Sequence, residues 1–190
     1  MTDDLVPGRL LTEVSYGNPG SVDPSDLVSL LDRPDAEARR AGAEALARMA
    51  ATAPERLEPH ASDVEPHLGT DDEAVRAHLL CALASVAQGT PSAVTATAPA
   101  VDALSDDDPQ VREWAALLLA YVGGTPAGER RTAIDRLTAL LEDEQPTVRR
   151  NACLGLAALD APAAAAVRPL LEDPDGTVRE TAAQVVDLLE

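Results

Sequence analysis

The chain has 190 residues, with 15 basic side chains against 33 acidic ones, a formal charge of −18 at pH 7. Every basic residue is arginine, and lysine and phenylalanine are absent altogether. A surface this acidic repels nucleic-acid phosphates and anionic membranes, whose binding depends on cationic side chains releasing counterions, so no nucleic-acid or membrane partner is expected. No apolar run approaches the ~18 residues of a membrane span. The opening Met1-Thr2-Asp3-Asp4 lacks the basic and apolar regions of a secretory signal, so a cytoplasmic protein is expected. Acid in excess without lysine is a composition suited to molar salt, since carboxylates hold water and ions while lysine exposes an apolar stem. A halophilic, haloarchaeal source is therefore expected; a GC-rich genome would account for the arginine but not for the acid. Two cysteines, Cys81 and Cys153, are too few for a disulfide framework.

In chain order, residues 1–22 come first, outside any periodic pattern, and carry Leu5, Val6, Leu10, Leu11, Val14 and Tyr16 among turn residues. They read as an N-terminal extension or cap. From residue 23 to 190 the chain repeats itself, in units of about 23–53, 54–90, 91–124, 125–161 and 162–190. The register is set by Arg39, Arg76, Arg112, Arg149 and Arg179, spaced by 37, 36, 37 and 30 residues. Eight residues before each arginine stands Leu31, Leu68, Leu104, Leu141 or Leu171, closing a first helix (A), as in Asp26–Leu31 and Thr132–Leu141. Four residues before it stands Asp35, Asp72, Asp108, Gln145 or Asp175, often beside proline, where a second helix (B) opens. In helix B, positions −1, +3, +6, +7 and +10 from the arginine are apolar or small and share one helical side. Pro54, Pro91, Pro126 and Pro162 punctuate the links, and no alternating β-branched run predicts a strand.

This pattern of Leu, Asp, Val-Arg and an Ala/Leu ladder resembles the HEAT repeat, in the short form of the HEAT-like repeats of phycobilisome lyases. The resemblance runs from about Pro24 to Glu190 and implies an all-α fold, a right-handed α-solenoid of about five stacked helix hairpins, with the B helices on the concave side. It also implies that the repeated Asp and Arg bond between neighbouring units, which makes the five arginines structural.

Little in the sequence points to catalysis. His60, Asp63 and His67, at i, i+3 and i+7 on helix A of the second unit, have a spacing that could hold a metal, but leucine or alanine replaces His67 in the other units. No metal and no cofactor are expected, and the two cysteines are expected about two helix spacings apart, too far to bridge. The informative stripe is at +1, +5 and +8 of helix B. The middle units place Cys81, Leu117 and Leu154 at +5 above alanines at +8, with Trp114 and Tyr121 flanking and Arg40, Glu44, Glu113 and Arg150 as a charged rim. Such a strip is expected to be a concave groove for a segment of a protein partner, in a non-catalytic scaffold or adaptor. The other reading, by analogy with the lyases, is a chaperone-like protein holding a small apolar ligand near His78, Cys81 and Trp114. At the C-terminus, Val185, Val186, Leu188 and Leu189 end the chain without a polar unit, and a homodimer through that edge is expected.

Overall fold

Four of the five B helices begin at an aspartate cap, and the cap chemistry fixes where the chain turns. In the computed structural model, which describes residues 22–190, Asp35 accepts hydrogen bonds from the amides of Glu37 and Ala38, and Asp108 from those of Gln110 and Val111. Asp72 does the same for Val75, and Asp175 for Thr177 and Val178. A capped first turn satisfies amides that the helix leaves free and places a carboxylate at the positive end of its dipole. Gln145 stands at the fourth cap without a side-chain bond, and there Pro146 starts the helix, where its missing N–H costs nothing.

The described residues contain helices and no strand, and they fall into two compact units, 22–95 and 96–190. Residues 1–21, and with them nearly all of the expected N-terminal extension, lie outside the described residues. In the first unit, α1 (Pro24–Leu31) packs on α2 (Ala36–Thr52), and α2 packs on α5 (Glu73–Gly89). Between α2 and α5 run two single turns, α3 (Pro54–Leu57) and α4 (Ala61–Val64), with 3-10 segments Glu58–His60 and Glu65–Gly69. In the second unit, α6 (Thr97–Ala103) packs on α7 (Pro109–Val122), α7 on α9 (Pro146–Ala158), and α9 on α11 (Gly176–Leu189). The A-type elements there are α8 (Ala127–Ala139), which runs into 3-10 Leu140–Glu142, and α10 (Ala164–Val167), which runs into 3-10 Arg168–Glu172. Helix A of the second repeat was expected as one continuous helix; Pro59 and Pro66 break it, because each lacks an N–H and its ring crowds the preceding turn.

The core is the ladder read from the sequence. Leu46, Leu83, Leu119, Leu156 and Val186, all at +7, are buried, as are the residues at −1, +3 and +6 in all five repeats. Position +4 joins them in four repeats, as Ala43, Leu80, Ala116 and Cys153, whereas Ala183 of α11 is exposed. Burial pushes the Cys153 thiol up to about 12, so it stays neutral and inert, and neither cysteine forms a disulfide. Val185 and Val186 also face inward, leaving Leu188, at 70% exposure, as the exposed large apolar residue. Of the four apolar residues expected at the C-terminal edge, the two valines are thus buried, Leu189 is half-buried and Leu188 is exposed.

Helices α7 and α9 end on left-handed residues, Gly123 at φ 62° and Asp160 at φ 45°. Glycine adopts that conformation freely, whereas an aspartate carries a Cβ that crowds the carbonyl. The Arg130 guanidinium binds the carbonyls of Leu159 and Asp160 and holds the turn. Asp160→Gly should relieve the strain at no cost in contacts, with a gain of roughly 0.5–1 kcal/mol and a rise in Tm of about 1–4 °C. A thermal melt beside the unchanged protein is the check; a lower Tm would show that the aspartate side chain stabilises the turn.

Candidate partner-binding face

The arginine that sets the register braces its own repeat. In each of the five, its Nη1 donates to the carbonyl six residues earlier, as Arg76 does to Thr70 at 2.6 Å and Arg149 to Asp143 at 2.7 Å. The other edge of the guanidinium reaches the next repeat. Arg112 Nε binds Asp143 Oδ2 at 2.8 Å, and Arg149 binds Asp173 through Nε and Nη2 at 2.7 and 2.8 Å. The expected Arg–Asp link between neighbours is thus real, but its acid is different. The repeated Asp at −4 is engaged in capping, and in the second unit the bridging acid stands at −6, as Asp143 and Asp173. In the first unit Thr70 occupies −6 and has no charge to offer, so Arg40, one residue along, pairs with the cap Asp72 at 2.7 Å. Burial works to raise the Asp72 carboxyl, but the Arg40 guanidinium and the Val75 amide outweigh it and hold it below the usual carboxylate range. The bidentate bond from Arg149 does the same for Asp173, which in turn raises Arg149.

The predicted stripe falls on both units. In the first, Cys81 is half-buried at +5 of α5, and Arg40 and Glu44 lie on α2. These two charges are already paired, Arg40 with Asp72 and Glu44 with Arg48 at 2.6 Å. The floor was expected to face outward, yet Ala47 and Ala84 are 7% and 1% exposed. Helices α2 and α5 pack so closely through small residues that +8 lies beneath the surface between them. His78, on the same helix as Cys81, is half-buried, with its Nδ1 enclosed and lacking a hydrogen bond. His60 and His67 each approach only one carboxylate, Asp63 at 3.5 Å and Asp32 at 3.9 Å, and no metal-binding group of three ligands occurs among the described residues.

In the second unit the stripe is more open. Leu117 of α7 and Leu154 of α9 are half-buried on helices that pack together, and Ala120, Tyr121, Ala157 and Ala158 of the same helices are half-exposed. Trp114 does not stand on this line; it occupies +2, the position that Asn151 takes in α9. Asn151 is buried there and donates Nδ2 to the carbonyl of Glu113 at 3.2 Å. Glu113 accepts from Thr147 at 2.9 Å, and Arg150 donates to Asn151 Oδ1 at 3.3 Å. One of the predicted rim residues, Glu113, therefore helps to fasten α7 to α9, while Arg150 bonds within α9. Asn151 and Thr147 went unread because one polar letter in a single repeat carries no periodic signal.

Residues 97–187 match the family model for HEAT repeats. That segment, a little under half of the chain, carries HEAT repeats. No curated protein sequence matches the chain. Solved structures give the same fold over nearly the whole chain. An engineered protein from a structural genomics consortium is 23% identical at a TM-score of 0.81, covering 100% of this chain and 95% of the other. A designed armadillo repeat protein is 23% identical at 0.78, over 97% and 92%. Another designed armadillo repeat protein, in complex with the peptide (KR)4, is 20% identical at 0.79, over 96% and 91%. At such identities the likeness speaks for the helical-repeat fold and for nothing finer.

Proposed function

We propose that this chain is a non-catalytic scaffold that binds a segment of another protein along its B-helix face, at Leu117 and Leu154. The observation that carries the reading is that pair: two large apolar side chains in register on adjacent packed helices, half out of the core, over small residues that leave room for an occupant. Isolated half-exposed leucines are ordinary, whereas an aligned pair beside Tyr121 offers a continuous apolar line. Likeness to designed armadillo repeat proteins, one of them in complex with a peptide, supports the use of such a face for a chain segment. Trp114 is read as an anchor at one margin of the face. The lysine-free acidic composition supports work in a salt-rich cytoplasm.

The test is affinity capture from lysate with the wild type beside Leu117→Arg/Leu154→Arg, followed by reconstitution of any captured protein in purified form. Arginine can extend its head group from a half-buried site, so the double variant should keep its helical circular dichroism. Binding should fall at least tenfold, which corresponds to about 1.4 kcal/mol. Undiminished binding by a folded double variant would remove this face from consideration.

A further inference from the structure

Deepening the reading of the Leu117–Leu154 face as a docking site, on which this inference rests, we infer that the segment it takes is apolar at one end and cationic at the other. The face changes character across three packed helices. At +5 it runs from Leu117 on α7 through Leu154 on α9 to Gln184 on α11; at +8 it runs from Ala120 through Ala157 to Asp187. At +1 the order is Glu113, Arg150, Glu180. Apolar character therefore gives way to polar and acidic character on reaching α11.

The charges along this face are not equivalent. Glu113 is held by Thr147, and Arg150 by Asn151. Glu180 and Asp187 are exposed and have neither a hydrogen bond nor an ion pair among the described residues. Their nearest basic neighbours in sequence are spoken for, since Arg179 is tied to the carbonyls of Asp173 and Pro174 and Arg168 pairs with Glu190. The two unpaired carboxylates lie seven residues apart, two turns of one helix, and so share its outer side. A segment seated on Leu117 and Leu154 and continuing over α11 meets both. Arginine or lysine there gains complementary charge, while aspartate or glutamate is repelled, and the −18 of the whole chain works in the same direction. The occupant is thus a protein segment whose leucine-like residues precede, or follow, a basic stretch.

The experiment titrates the full chain, at about 0.15 M salt, into three fluorescein-labelled dodecapeptides and follows anisotropy. One peptide is Leu/Ser in one half and Arg/Ser in the other; one replaces Arg by Glu; one replaces Leu by Ser. The Leu–Arg peptide should bind at least tenfold tighter than either of the others. Glu180→Arg/Asp187→Arg should weaken it at least tenfold, and Glu142→Arg/Glu144→Arg, an equal change of net charge at exposed acids elsewhere on the same unit, should weaken it about threefold or less. Equal weakening by the two double variants would overturn the inference, since the attraction would then be that of net charge alone. Tighter binding of the Leu–Glu peptide, or no measurable binding of the Leu–Arg peptide, would also overturn it. If Leu117→Arg/Leu154→Arg left the Leu–Arg peptide bound while Glu180→Arg/Asp187→Arg released it, the charge assignment would stand and the apolar docking site would fall.

Discussion

Replacing Asp173 by alanine should cost the protein about 3 kcal/mol, among the largest losses expected from one side chain on its surface layer. Its carboxylate is 3% exposed and takes two bonds from Arg149, itself 11% exposed. Removing the acid leaves a nearly enclosed guanidinium with only its own turn's carbonyls for company, so the loss is mostly that of an uncompensated charge. For a chain of this size the shift in Tm is about 6–12 °C. Arg149→Met/Asp173→Leu, which removes both charges and keeps the volume, should recover most of it. A double variant as unstable as Asp173→Ala would mean that the pair contributes more than the cost of burying it. The same carboxylate sets a pH signature. Its folded pKa lies below the ordinary 3.8 because Arg149 hydrogen-bonds the charged form. The stabilisation is therefore complete above the unfolded pKa and is lost as the pH falls through the folded value. Acid titration below pH ~4 should narrow the gap between wild type and Asp173→Ala, with little change in that gap between pH 5 and 8.

Gly42→Ala is the second change with a large expected effect, and its sign runs against helix propensity. Glycine inside a helix normally costs up to about 1 kcal/mol relative to alanine. At Gly42, however, an added Cβ would stand 2.8 Å from the Leu30 Cβ and 3.0 Å from the Leu27 carbonyl oxygen, neither of which is the loose end of a side chain. Helix α1 would have to move away from α2, at a cost of about 1–3 kcal/mol. Gly128, in the first turn of α8, is the matched control, with nothing within 4 Å of its added Cβ. Gly128→Ala should stabilise by roughly 0.5–1 kcal/mol. Urea titrations of the two variants would settle the matter; destabilisation by both, or by neither, would contradict the packing argument.

The features legible in the sequence are those repeated in every unit with the period of a helix. Leu46, Leu83, Leu119, Leu156 and Val186 were identifiable as core because each faces the same surroundings in its own repeat, and Asp35, Asp72, Asp108 and Asp175 as caps because a cap is a local bond. Contacts between repeats were harder to read. Asp143 and Asp173 bridge to Arg112 and Arg149, but the equivalent position is Arg33 in the first repeat and Thr70 in the second, so no column of acid marks it. The stripe at +1, +5 and +8 is read as facing outward, yet the structure leaves less of it exposed. Periodicity gives a direction around one helix; how far a residue sinks depends on the neighbour's bulk, and where that neighbour offers alanine the helices close over Ala47 and Ala84. Proline stands where Pro59 and Pro66 do in some repeats and not in others, so no periodic signal marks those breaks.

The hand that each register arginine extends to its own turn bears on how such a chain grows. Nη1 of Arg39, Arg76, Arg112, Arg149 and Arg179 closes a ring within a single hairpin, asking nothing of the hairpins on either side. A repeat copied into the gene would bring its own turn ready shaped, and only the opposite edge of the guanidinium would need to find an acid. The substitution of Arg40 and Asp72 for the usual pair shows how little that search requires. Lengthening or shortening this protein by one hairpin is, in these terms, a matter of finding one carboxylate rather than of redesigning a fold.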